Sequence, residues 1–165
     1  MSQVFVAIGS NLDPTTRVPQ AARALKRSFA DVRFSNCYSN PAFGFKGPDF
    51  VNAVAGFVTT LPIPALLQSL REIEQHCGRA ATDPKWEPRA MDLDLLLYGD
   101  EVGTGPGYTL PRPDLLQRIY MLGPLAQLAP DLIYPPSGPS IAQLWQRFPR
   151  DGHSLVPLEL DLNAV

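Results

Sequence analysis

The apolar positions of this chain switch between two spacings, and the switches mark its elements. Val4 to Ile8 is apolar on both faces, as a central strand is, and it runs into Gly9-Ser10-Asn11, three turn formers. From about Thr16 the residues Val18, Ala21, Ala22, Leu25 and Phe29 recur at helical spacing, with Pro19 in the first turn, where no intrahelical donor is lost. Val32 to Tyr38 predicts a strand, residues 40–49 a loop rich in breakers, and Phe50 to Thr59 another strand. A second helix is predicted from about Ile63 to Cys77, with Ile63, Leu66, Leu67, Leu70, Ile73 and Cys77 on one stripe. At about 100° per residue Glu74 falls in the middle of that stripe, so its carboxylate is expected to face inward. Residues 78–91 have no periodicity and hold two prolines, the mark of a functional loop or of a disordered one. Asp92 to Tyr98 then predicts a strand.

The first hundred residues therefore run β-α-β-β-α-β, which predicts an α+β, ferredoxin-like core: an antiparallel sheet with helices on one face. Beyond it, residues 113–129 and 139–148 are expected to add short C-terminal helices, and the last dozen residues an edge strand. Gly103-Thr104-Gly105-Pro106-Gly107 has the look of a phosphate-loop fragment, but Pro106 and the lack of a following helix reduce it to a turn. At 165 residues the whole chain, 1–165, is expected to be one domain that needs no disulfide or metal to stand up. Its 18 prolines and 12 glycines predict shaped loops on an ordered body.

Charge narrows the function classes. A net charge of −2 with 18% charged residues argues against a nucleic-acid partner or an anionic membrane surface, each of which needs a basic excess. The apolar run Ala53–Val58 is far short of a transmembrane helix, and the N-terminus has no basic segment ahead of an apolar one. The expected compartment is the cytoplasm and the expected state a monomer. Cys37 and Cys77 lack any CxxC context, so both are expected to be reduced structural thiols.

Two constellations carry chemistry. Asp92 and Asp94, two apart on a strand, leave one face, while Met91, Leu93, Leu95 and Leu97 are expected on the other. Two converging carboxylates call for a cation, and hard oxygen donors at this spacing suit Mg²⁺ with water and phosphate completing its shell. The pattern alone also admits two ordinary strand-end acids, solvated or paired with nearby arginines. Arg79, Lys85 and Arg89 precede the pair, with Trp86 among them, and cations beside carboxylate-bound Mg²⁺ are the recurring parts of phosphoryl-transfer sites. The alternative for that loop is a solvated mixed-charge excursion. Phe50 and Asn52 share one strand face, where a ring can stack on a flat heterocycle and an amide can bond its edge. Phe50 taken alone reads better as a core residue. His76 and His153 have no ligand spacing and are read as structural or surface residues.

Together these residues resemble the 6-hydroxymethyl-7,8-dihydropterin pyrophosphokinases of folate biosynthesis. The segment from Trp86 to Gly99, with Arg89 ahead of Asp92-Leu93-Asp94, looks like that family's signature, and Ala7 to Leu12 looks like its N-terminal motif. The resemblance continues through Tyr38 to Asn52 and Pro111 to Leu125, nearly the whole chain. It implies a transfer of pyrophosphate from ATP to the pterin hydroxymethyl oxygen, with AMP released. It further implies that Asp92 and Asp94 bind two Mg²⁺ ions and that Arg79 and Arg89 neutralise phosphate charge. By the same resemblance Glu74, Lys85, Trp86, Leu95, Thr109, Arg112 and Arg118 fall at nucleotide positions. Phe50 and Tyr120 fall at the two rings that sandwich the pterin, Asn52 at its amide partner, and Asn40 and Phe43 at its edge.

The chain departs from the family at four places. Glu87 stands where Gly is usual, Ala81 and Gly107 occupy commonly basic positions, and Arg112 replaces a usual His. The alternative these departures leave open is a diverged, non-catalytic pterin- or nucleotide-binding paralogue.

Overall fold

The computed structural model describes residues 1–42, 46–78, 90–150, 152 and 154–165. Its elements in chain order are β1 (Ser2–Ser10), α1 (Pro14–Ser28), β2 (Ala30–Phe34), β3 (Cys37–Asn40), β4 (Phe50–Thr59), α2 (Ile63–His76) and β5 (Asp92–Tyr98). There follow β6 (Gly103–Gly105), β7 (Tyr108–Leu110), α3 (Ile119–Leu128), α4 (Ile141–Arg147) and β8 (Val156–Leu158), with short 3₁₀ turns at Pro113–Leu116 and Leu162–Ala164. The main sheet has the order β5-β1-β4-β3-β8, with β2 also on β4, and every pairing in it is antiparallel. This is the predicted α+β order with its extra C-terminal helices and edge strand.

The strand expected over Val32–Tyr38 is split. Phe34 lies opposite Ala55 and Tyr38 opposite Asn52, so the β2–β3 side carries one residue more than β4 across the gap. Ser35 fills the break: its N–H donates to the Val54 carbonyl at 2.8 Å and its Oγ accepts from the Val54 N–H at 2.8 Å. The extra residue lets Phe34 and Cys37, three apart, enter the same core layer, which an unbroken strand forbids.

The sheet is covered on both faces. Helices α1 and α2 bury Val4, Val6 and Ile8 against Val18, Leu25, Leu66 and Leu70, as the first hundred residues predict. The opposite face, with Phe5, Ala7 and Val54, packs under α3 and α4 through Leu122, Leu125 and Ile141. Helix α3 lies between sheet and α4 and is buried nearly all round, so its sequence carries no amphipathic stripe to read. A second bulge corrects the face expected for one leucine. Met91, Leu93 and Leu95 do share the α1–α2 layer, but the register slips between Val6, opposite Leu95, and Phe5, opposite Leu97. Leu96 and Leu97 therefore both enter the α3 layer.

Of the turn predicted at residues 103–107, Gly103–Gly105 instead form β6 and Pro106-Gly107 alone are the tip of the β6–β7 hairpin. Gly107 has φ 81°, the value demanded at the third residue of a type II turn after Pro106. Both cysteines are buried and free. No helix among the described residues is long and apolar enough to cross a membrane.

Candidate active site

The two constellations meet on one sheet face. Across the strands, Asn52 of β4, Gly9 of β1 and Asp92 of β5 form one row, and Val54, Ala7 and Asp94 the next. Residues directly opposed in an antiparallel sheet share a face, so Asn52, Asp92 and Asp94 leave on the side covered by α3, with Phe50 two residues from Asn52. Asp92, Asp94 and Phe50 are half-buried, as residues at a cleft are.

Gly9 is the residue that sequence reasoning missed. It was expected in a turn, yet β1 continues through it to Ser10, and a Cβ there would lie 2.9 Å from Asn52 Oδ1 and 3.7 Å from the Phe50 ring. Glycine thus clears the floor between the amide and the first aspartate. The signal was a glycine at the polar end of a central strand, but its meaning depends on the register to β4. Asn52 is 5% exposed, and its Nδ2 donates to Asn40 Oδ1. Asn40 in turn donates through Nδ2 to the Pro41 carbonyl at 3.1 Å, and Asn11 Nδ2 reaches the Pro48 carbonyl at 3.1 Å. The Asn52–Asn40–Pro41 bonds tie the start of the loop after β3 to β4, and the Asn11–Pro48 bond ties the segment before β4 to the end of β1.

On the other side of the acid pair, a cavity of about 260 Å³ lies between α2, β5 and the β6–β7 hairpin. Glu74, Leu95, Thr109 and Arg112, four of the residues implied to contact nucleotide, line it together with Asp94. Glu74 is inward as its phase predicts, and its Oε2 accepts the Leu93 N–H at 2.8 Å. β5 is an edge strand, so this carboxylate supplies a partner the sheet does not. Arg112 is anchored by its own N–H to the Leu96 carbonyl at 3.0 Å. Its Nη2 stands 3.4 Å from Asp114 Oδ2 and 3.7 Å from Asp94 Oδ1.

Arg118 immediately precedes α3, close enough for its charge to act on the Tyr120 phenol. Burial pushes the Tyr120 phenol up, Arg118 opposes that shift, and the Asp114 and Asp94 carboxylates add to it. Tyr120 therefore stands within electrostatic reach of Asp94 as a neutral phenol. Phe43, Arg79, Lys85, Trp86 and Arg89, and His153, lie outside the described residues. His76 is exposed at the end of α2, consistent with a surface residue.

Among the described residues no three His, Cys, Asp or Glu side chains gather as a closed metal cage. Two carboxylates on one open face instead fit a hard divalent cation that keeps water and phosphate in its shell, as Mg²⁺ does. Such a cation would be held beside the Phe50–Asn52 face and the cavity of about 260 Å³.

The model of the family described as 7,8-dihydro-6-hydroxymethylpterin-pyrophosphokinase matches residues 5–130. The chain belongs to that family. Relatives named 2-amino-4-hydroxy-6-hydroxymethyldihydropteridine pyrophosphokinase include one from Synechocystis sp., 39% identical over 84% of this chain and 72% of its own length. Another, from Pseudomonas aeruginosa, is 37% identical over 95% of this chain and 98% of its own. A solved structure of an HPPK-DHPS protein in complex with substrates superimposes with a TM-score of 0.69 at 10% identity. It covers 88% of this chain, which spans 43% of that one, and it carries the fold alone. The pyrophosphokinase match runs from within β1 to just past α3, and so takes in all the residues gathered at the site.

Proposed function

We propose that the chain transfers pyrophosphate from ATP to the hydroxymethyl group of 6-hydroxymethyl-7,8-dihydropterin, releasing AMP, as one unit over residues 1–165. The observation that carries the reading is the acid pair standing between two unlike surfaces. On one side is the cavity lined by Glu74, Leu95, Thr109 and Arg112, and on the other the Phe50–Asn52 face with Gly9 as its floor. The pterin oxygen forms a bond to the β-phosphorus as the bond from that phosphorus to the AMP oxygen breaks.

Asp92 and Asp94 hold Mg²⁺, two ions per site. When bound, Mg²⁺ supplies neutralisation of the triphosphate charge that develops on transfer. The remaining work belongs to the chain. Phe50 and Tyr120 take the faces of the pterin and Asn52, Asn40 and Phe43 its edge, so that the hydroxymethyl group is presented at the acid pair. Glu74, Leu95, Thr109, Arg112 and Arg118 hold the nucleotide, and Arg79, Lys85, Trp86 and Arg89 gather its phosphates. The partners are small molecules, with no nucleic acid and no membrane, and the compartment is the cytoplasm.

The test is a reaction of purified protein with ATP, Mg²⁺ and the pterin, with AMP and pterin pyrophosphate quantified. Asp94→Ala is expected to lower turnover at least about a hundredfold, because it removes a ligand of the Mg²⁺ that would neutralise the triphosphate. The variant should melt like the parent, since Asp94 is half-exposed. AMP formation that survives Asp94→Ala with normal Mg²⁺ dependence would overturn the assignment of the acid pair. Pterin binding without any AMP would hand the chain to the non-catalytic alternative.

A further inference from the structure

Arg112 stands where the family usually has a His, and its geometry gives it more to do than contact nucleotide. Its backbone is fixed to β5 through the Leu96 carbonyl, and its guanidinium straddles two carboxylates, Asp94 on β5 and Asp114 in the following 3₁₀ turn. At 3.7 and 3.4 Å both contacts are long. A guanidinium has five donors, and the Nε of this one is buried and finds no acceptor among the described residues. Among the described residues it is thus held beside the cavity with most of its donor capacity uncommitted, while one arm rests on a carboxylate proposed to hold metal.

A guanidinium and a divalent cation on the same carboxylate repel each other. Metal entering the nucleotide-free site must therefore displace Arg112 from Asp94 or bear its charge. Asp114 keeps the guanidinium close when it lets go of Asp94, and phosphate oxygens in the cavity would satisfy the donors it carries. The geometry points to Arg112 as a positioning residue that makes metal loading at Asp94 depend on nucleotide. It weakens metal binding to the free protein and strengthens it once a triphosphate is present. By linkage, nucleotide and metal then raise each other's affinity by one shared factor, part of which Arg112 supplies. The inference rests on the functional reading above in taking Asp94 as a metal ligand and the cavity as the nucleotide site.

The experiment is a Mn²⁺ titration of the full chain followed by electron paramagnetic resonance, without nucleotide, on the parent, Arg112→Ala and Arg112→Lys. A parallel calorimetric titration with α,β-methylene-ATP at saturating Mg²⁺ uses the same three proteins. Arg112→Ala is expected to bind Mn²⁺ about fivefold tighter than the parent or more, and the analogue more weakly by a similar factor. Arg112→Lys, which keeps a cation on the same stem, should return both values toward the parent. The gain in Mn²⁺ affinity should vanish in the double variant Asp94→Ala/Arg112→Ala. Unchanged or weaker Mn²⁺ binding in Arg112→Ala, or a gain that persists without Asp94, overturns the inference. A parent chain that forms no AMP sinks the functional reading instead and leaves the nucleotide-free titration to be judged by itself.

Discussion

Gly9 shows how a residue without a side chain can set the geometry of a site. A methyl group there would meet Asn52 Oδ1 at 2.9 Å, and Asn52 has little room to retreat because its other end is committed to Asn40. Gly9→Ala should therefore break or tilt the amide pair while leaving Asp94 and the nucleotide cavity in place. Losing one buried hydrogen bond of about 1 kcal/mol corresponds to roughly five- to tenfold in affinity. The expected result is a rise of that size in the pterin KM with an ATP KM near that of the parent, measured in the AMP assay. An equal rise in both would mean that the methyl group disturbs the strand rather than the amide. Other residues were legible one at a time. The helical phase of Glu74 put its carboxylate inside, and two-residue spacing put Asp92 and Asp94 on one face. What could not be read is that the acid pair and the Phe50–Asn52 pair are neighbours, because that fact lives in the register of β1 with β4 and β5 and nowhere in local spacing. Cys37 is a structural residue with a measurable signature. Burial, with the Asp161 carboxylate adding, pushes its thiol from 9.0 up to about 11. The folded thiol holds its proton more tightly than the unfolded one, so its contribution is full below pH 9 and is lost as the pH rises toward 11. Urea unfolding should show stability falling across that window, and Cys37→Ala should make the fall shallower.

At the scale of elements, two bulges decide which side chains reach the site. An unbroken strand from Val32 to Tyr38 would put Phe34 and Cys37 on opposite faces, whereas the extra residue around Ser35 puts both in the α1–α2 layer. The same shift turns Tyr38 and Asn40 to the α3 side, where Asn40 meets Asn52. The Leu96 bulge does the reverse service for β5, giving Leu96 and Leu97 to the α3 layer after Leu93 and Leu95 have gone to the other. Elements with long, regular patterns were legible, and β4, β5 and α2 fall within a residue of their predicted bounds. Bulges were not, because one inserted residue leaves no mark on apolar spacing unless the partner strand is known. Ser35 offers a direct test of the first. Its Oγ accepts the Val54 N–H, and Val54 is fully buried, so Ser35→Ala leaves that donor without a partner. The expected cost is about 1–3 kcal/mol in urea unfolding, with weaker pterin binding as Asn40 loses its register. A loss under about 0.5 kcal/mol would show that the flanking ladder holds the bulge without the hydroxyl.

For the whole molecule, the open question is what an antiparallel sheet does with its two edges. Unpaired strand edges recruit other chains, and proteins that stay single blunt them. Here β5 forms one edge, and β8 together with β2, which pairs only with β4, forms the other. On β5, Glu74 takes the Leu93 N–H and the Arg112 N–H takes the Leu96 carbonyl, so two groups a visiting strand would need are already used. Both come from segments the site requires, so closing the edge and building the nucleotide cavity are one act of folding. β8 is only three residues long, and its middle residue, Pro157, has no N–H to offer. Its Val156 is exposed and would otherwise favour pairing. The remaining C-terminal residues are tied back onto the body, where the Asn163 side chain exchanges hydrogen bonds with the Phe34 backbone at 2.9 and 3.0 Å and Lys26 Nζ holds the Val165 carbonyl at 2.7 Å. The expected state is therefore a monomer, with light scattering giving the mass of one chain at every concentration loaded. Glu74→Ala frees the Leu93 N–H on an edge that then has less to blunt it. If that variant self-associates while the parent does not, the edge argument holds; if the parent itself is a dimer, its partner must dock on a helical face rather than on the sheet.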